Sequence, residues 1–115
     1  MSSQPSQQID TGNYSNCVTR ILPGEPGAGV YGMLKNNCPF PVDVRYCNDG
    51  ADPNSFAATM SCTGSRNWGG SGSIGASDKS SALVGGRTYW YACKKPAGVT
   101  DSTYNPGQGI AARCK

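Results

Sequence analysis

The chain has no histidine and only one glutamate among its 115 residues. Without histidine, Ser-His-Asp and Cys-His catalytic arrangements are excluded. A mixed cysteine–histidine zinc site is excluded with them. No Cys-x-x-Cys pair occurs either, so metal binding by cysteine alone is poorly spaced. No apolar run approaches the roughly 20 residues that a membrane-spanning helix needs. Charge is also scarce: charged residues are 15% of the chain and the net charge is +3. The basic residues are scattered, and only Lys94 and Lys95 are adjacent. A nucleic-acid binder shows a clustered stripe of lysine and arginine, so no nucleic-acid partner is expected. No internal repeat is visible, and no stretch carries a helical period.

What is present points to strands and turns. Glycine is frequent at 16 residues and proline reaches 8. Aromatics at 9% and the low net charge exclude a disordered chain. The length fits one domain with a modest core. Six cysteines at wide spacing read as three disulfides, hence an oxidising compartment: secreted, periplasmic or cell-surface. The opening "MSSQPSQQIDTG" is polar and has no apolar signal region. It reads as a mature domain behind an added methionine, or as a piece of a longer precursor. Residues 1–13 are expected to be a flexible tail and residues 14–115 a single β domain.

Along the chain, "SNCVTRIL" (15–22) reads as a first strand and "VYGMLKN" (30–36) as a second. The loop "PGEPGAGV" (23–30) separates them, denied ladder or helix by its prolines and glycines. "FPVDVRYC" (40–47) is the clearest strand. It puts Val42, Val44 and Tyr46 on one face and Asp43, Arg45 and Cys47 on the other. "PNSFAATMSC" (53–62) is the one plausible short helix, capped by Asn54 or Ser55, and fits a strand as well. "GGSGSIGA" brackets a very short strand at Ile74. "SSALVGGRTYWYACK" (80–94) reads as two strands around a Gly85-Gly86 hairpin turn. Residues 95–109 read as a long loop, and "IAARC" (110–114) as a last strand. The fold class is all-β: a small disulfide-stapled antiparallel sandwich or barrel of about five to seven short strands.

Six cysteines allow fifteen pairings, and spacing alone does not choose among them. Local reasoning favours Cys17–Cys38, Cys47–Cys62 and Cys93–Cys114, with Cys38 and Cys47 facing out from the two ends of the clearest strand. A bridge at Cys93–Cys114 would pin the last strand. Cys38 and Cys47 would each staple that strand to a different neighbour, being about 30 Å apart in an extended chain. "LKNNCPFPVDVRYCN", "YWYACKKPAG" and "GIAARCK" together resemble small cysteine-rich β-domains of secreted or envelope-associated bacterial proteins, over residues 30–115. That family has no assigned activity, so the resemblance implies a compartment and no mechanism. "NNCPF" (36–40) is similar to the opening strand of thaumatin-like proteins, and implies that strand alone.

Catalytic groups reduce to seven carboxylates, mostly in turns, where aspartate is an ordinary turn former. "NDGADPN" (48–54) lacks the acid spacing and closing glutamate of a calcium loop. "GSGSIG" lacks the Gly-Lys-Ser/Thr of a phosphate loop. No enzyme activity and no cofactor are expected. Trp68 stands in the polar loop "SRNWGGSG", flanked by Arg66 and Asn67. It either stacks on a sugar or partner side chain, or folds back over one end of the sandwich. In "TYWYAC", alternation puts Trp90 in the core and Tyr89 and Tyr91 on an outer face. Tyr14, Tyr31, Tyr46 and Tyr104 are available to extend an aromatic surface. The sequence therefore points to a non-catalytic binding module, with Trp68, Arg66, Asn67, Tyr89 and Tyr91 as ligand-binding residues. The partner would be a polysaccharide or cell-wall polymer. The alternative is a protein–protein module (an inhibitor, an adhesin piece or an accessory domain of a larger secreted protein) using the semi-rigid "LPGEPGAGV" loop.

Overall fold

A computed structural model describes residues 9–63 and 68–115. Strands β1 (Val18–Ile21), β2 (Met33–Asn36) and β5 (Lys79–Ser81) form one sheet, in the order β1-β2-β5. Strands β4 (Gly70–Ile74), β3 (Val42–Asp49) and β6 (Arg87–Lys94) form a second, in the order β4-β3-β6. Strands β7 (Val99–Asn105) and β8 (Gly109–Cys114) make a two-stranded hairpin. Strand pairing within each sheet is antiparallel. Short 3-10 turns at Ser15–Cys17 and Phe56–Met60 complete the regular structure of the described residues. None of their helices is long and apolar enough to cross a membrane. The all-β, disulfide-stapled reading holds, with eight strands instead of five to seven.

The core lies between the two three-stranded sheets. Alternation along β3 sends Val42, Val44 and Tyr46 inward, as the sequence pattern indicates. They meet Val18 and Leu34 of the first sheet, Ile74 and Ala92 beside them, and Ala82 and Val84 of the connecting segment. Burying a valine or leucine stabilises by about 1.5–3 kcal/mol. A core of such small side chains is modest, and three covalent bridges reinforce it. They are Cys17–Cys38, Cys47–Cys62 and Cys93–Cys114, the pairing favoured by local reasoning. Their spans of 21, 15 and 21 residues each restrict the unfolded chain. In the chain-entropy account each stabilises by about 3 kcal/mol. Such a framework belongs to an oxidising compartment. Cys47 keeps the outward side of β3 that alternation gives it but is buried there, and Cys38 is buried in the bend before β3 and does not face out from the strand's end.

Three other expectations are corrected. Residues 80–94 are not a hairpin: β5 pairs with β2 and β6 with β3, so the segment between them crosses from one sheet to the other. Ala82 and Val84 point into the core on the way, which holds the crossing against the first sheet. Gly86 is required there. Its φ is +61°, and a Cβ would stand 2.6 Å from the Asp49 carbonyl oxygen. The long loop at 95–109 contains β7, which pairs with β8 through a register shift between Thr100 and Thr103. Residues Asn105 to Gln108 turn the hairpin, with Gln108 N–H donating to Asn105 C=O at 2.9 Å. The short helix is a 3-10 turn at Phe56–Met60. Ser55 is its first flanking residue, but its hydroxyl bonds Asp52 C=O and does not cap. Of the expected tail, residues 1–8 lie outside the described residues. Asn13 forms a bridge with Cys93, and Tyr14 N–H donates to Ala92 C=O.

Two buried asparagines tie these pieces together. The Asn48 amide, 2% exposed, donates to Ala57 C=O (3.0 Å) and Leu83 C=O (2.6 Å). Its oxygen accepts from Gly85 N–H (3.3 Å) and the Thr88 hydroxyl (2.7 Å). Asn48→Ala should lower the unfolding free energy of the oxidised protein by about 3 kcal/mol or more, because each buried group left unpaired costs about 1–3 kcal/mol. Asn54→Ala, in an exposed turn, should stay within about 0.5 kcal/mol. Urea unfolding of both variants decides it, and equal small shifts would remove Asn48 from this role.

Candidate functional site

The outer face of the second sheet gathers the residues of interest. Antiparallel register sets Asp43 opposite Cys93, Arg45 opposite Tyr91, Cys47 opposite Tyr89 and Asp49 opposite Arg87. Directly opposed residues share a face. On the other side of β3, Ser71 opposes Arg45 and Ser73 opposes Asp43. Trp90 goes the other way: it opposes Tyr46, packs against the core, and donates its indole N–H to Ser15 C=O at 3.0 Å. The division of Tyr89 and Tyr91 from Trp90 is thus the one alternation implies.

Trp68 does not fold over the end of the sandwich. The Arg45 guanidinium lies 4.2 Å from its ring centroid, and Arg45 Nη2 donates to the Trp68 carbonyl at 2.6 Å. A cation over an indole face is an attractive, orienting contact. Arg45 Nε is buried and has no hydrogen-bond partner among the described residues, so the ring contact and the carbonyl carry the placement. The chain reaches this position through Gly69. Its φ is +73°, and a Cβ there would stand 2.3 Å from the Tyr46 carbonyl oxygen. Arg66 and Asn67, the neighbours named with Trp68, lie outside the described residues.

The β7–β8 hairpin borders the same face. Cys93–Cys114 fastens it covalently, and Val99 N–H donates to Asp43 Oδ2 at 2.8 Å. Tyr104 lies with its ring 5.8 Å from that of Tyr89, and its hydroxyl donates to Asp49 Oδ2 at 2.7 Å. That bond to a carboxylate holds the Tyr104 hydroxyl above the usual tyrosine range. Structure therefore brings Trp68, Tyr89 and Tyr91 onto one face and adds Arg45, Asp49 and Tyr104. Of the other tyrosines, Tyr46 is in the core, where burial raises its pKa against the lowering bond from Leu83 N–H. Tyr14 packs edge-on against Phe40, and its hydroxyl bonds Asp10, which raises the tyrosine pKa and lowers that of the aspartate.

A second surface is only partly legible in the sequence. Val30 is 80% exposed, Phe56 62% and Tyr31 47%. Tyr31 and Phe56 meet edge to face, 5.2 Å between centroids and 87° between planes. With Pro23, Leu83 and Val84 they line a hollow of about 200 Å³. The one signal for it is the apolar pair Val30-Tyr31 closing the glycine-rich loop. Three of the carboxylates have structural roles: Asp43 and Asp49 hold the hairpin, and Asp52 accepts from Asn54 N–H at 3.0 Å. No three metal-ligating side chains cluster among the described residues.

Compared with known proteins, the chain matches no family model, no curated protein and no solved structure.

The hairpin's attachment is testable. A tyrosine whose folded pKa is raised contributes stability that is complete below about pH 10 and is lost as pH rises through the folded value. The Tyr104–Asp49 link should therefore persist to alkaline pH. Tyr104→Phe, by contrast, should increase amide exchange in residues 99–114 at neutral pH while β3 and β4 stay protected. Equal deprotection of β3 would make the hairpin part of the sandwich's cooperative unit.

Proposed function

We propose that this chain is a non-catalytic binding module of a secreted or cell-envelope protein, and that it holds a polysaccharide on the outer face of the second sheet. The observation that carries this reading is the set of aromatic rings fixed on that face by polar neighbours: Trp68 on Arg45, and Tyr104 between Tyr89 and Asp49. Rings fixed before binding lose little freedom when a sugar stacks on them. Serines of β4 and tyrosine hydroxyls supply hydrogen-bonding groups alongside, as a hydroxyl-rich ligand needs. The three disulfides suit an extracellular setting.

One observation favours a second reading. Exposed Val30, Tyr31 and Phe56 form an apolar surface of the kind that protein partners cover. Its perpendicular rings make a notch suited to an apolar side chain, not a flat platform for a sugar.

The two readings separate in one experiment. The oxidised protein is co-sedimented with insoluble peptidoglycan, chitin and cellulose. Retention on one polymer, reduced about tenfold or more (about 1.4 kcal/mol) by Trp68→Ala and unchanged by Phe56→Ala, is the result expected. Retention on none of them would overturn the polysaccharide reading. A protein partner lost with Phe56→Ala and kept with Trp68→Ala would establish the second.

A further inference from the structure

We infer that the groove at the start of β6 recognises an acidic sugar residue, its carboxylate held between Arg20 and Arg87 and its ring against Tyr89. This rests on the polysaccharide reading and names the kind of sugar. The groove is open, about 330 Å³, and is lined by Arg20, Gly86, Arg87, Thr88, Tyr89 and Trp90. Two arginines from different sheets thus line one groove together with Tyr89 and Trp90.

Arg20 reaches the groove from β1. Its Nη1 donates to Gly86 C=O at 3.0 Å and to the Thr88 hydroxyl at 3.3 Å. Those bonds fix the plane of the group through one nitrogen. Its Nη2 and Nε have no acceptor among the described residues. They form the planar fork that matches a carboxylate with two parallel hydrogen bonds. Arg87 is exposed and opposes Asp49 across the sheet, but Asp49 Oδ2 accepts the Tyr104 hydroxyl. Two cations line the groove and no carboxylate among the described residues does, so the groove is positively charged.

The groove's length selects a sugar over an added strand. At one end Arg20 closes on Gly86, and at the other Trp90 is tied to Ser15 and Ala92 to Tyr14 and Ser15. About four residue steps lie between, some 13 Å. A strand of useful length does not fit there, whereas one or two sugar rings do. Tyr89 lies on the outer face and also lines the groove, so an acidic ring in a chain crossing the outer face would enter here.

The test uses the full oxidised chain and four soluble probes: polygalacturonate, its methyl ester, hyaluronate and polyglutamate. The expected result is binding to an acidic polysaccharide at least about tenfold tighter than to the methyl ester, because a hydrogen bond to a charged group is worth about 1.5–3 kcal/mol. That preference should shrink with added salt. Arg87→Gln should bring the acid-to-ester ratio near one, and Arg20→Lys, which keeps the charge and loses the fork, should reduce it too. Circular dichroism of each variant checks that the fold is kept. Equal binding of acid and ester, unaltered by Arg87→Gln, would overturn the acidic-sugar assignment and leave the polysaccharide reading standing. Binding to no polysaccharide would overturn both. Polyglutamate bound more tightly than either acidic polysaccharide would overturn the assignment in favour of an acidic protein.

Discussion

One buried side chain, the amide of Asn48, sets the arrangement on which the rest of the molecule depends. All four of its hydrogen-bonding positions are used, and they reach three separate pieces of chain: the 3-10 turn at Ala57, the crossing segment at Leu83 and Gly85, and β6 at Thr88. Its backbone carbonyl adds a fourth link, accepting from Cys62 N–H at 2.9 Å. The neighbouring Cys47–Cys62 bridge closes the same loop covalently. The consequence is register. A slip of one residue in β6 would send Tyr89 and Tyr91 into the core and Trp90 to the outside. Thr88 bonded to Asn48 across the sheet blocks that slip, so the outer aromatic face follows from a polar contact in the interior.

Asn36 does the corresponding work at the other end of β3. Fully buried, it donates to the carbonyls of Phe40, Ile74 and Gly75 and accepts from Cys38 N–H at 2.9 Å. The stretch from Asn36 to Asn48 therefore carries a buried asparagine beside a buried half-cystine at each end. The logic is general: where loops converge, backbone carbonyls leave the ladder and still need donors. β4, made of glycine, serine and one isoleucine, brings few side chains to satisfy them. A core of small apolar residues accepts the two amides because every group on them is paired.

Much of this is readable in the sequence. The alternation of Val42, Val44 and Tyr46 fixed which face of β3 is buried, and the same period separated Trp90 from its flanking tyrosines. The disulfide pairs followed from strands that needed anchoring to nearby loops. What escaped was tertiary. Gly85-Gly86 has the chemistry of a hairpin turn, and only the pull of Ala82 and Val84 into the core makes it a crossing between sheets. β7 packs one apolar residue, Val99, and is otherwise held by hydrogen bonds and by its pairing with the disulfide-anchored β8, so its sequence "VTDSTYN" carries no period to read. Trp68 stands out in its polar loop, but its position depends on Arg45, which the strand pattern merely marks as facing outward. The exposed pair Tyr31 and Phe56 comes from segments 25 residues apart, and no local pattern joins them.

The treatment of the β6 edge bears on how such a domain meets a partner. An open strand edge invites pairing with another chain. Here the far half of that edge is taken by the chain's own Asn13 to Ser15, and the near end by the Arg20 side chain. Recognition along this border must then come from side chains, since little free backbone is left to add a strand. Arg20 serves two purposes in that arrangement. Its one bonded nitrogen closes the edge and joins the two sheets, and the residue also lines the groove. The same constraint that protects the sandwich from edge pairing is what leaves a short, positively charged groove next to the aromatic face.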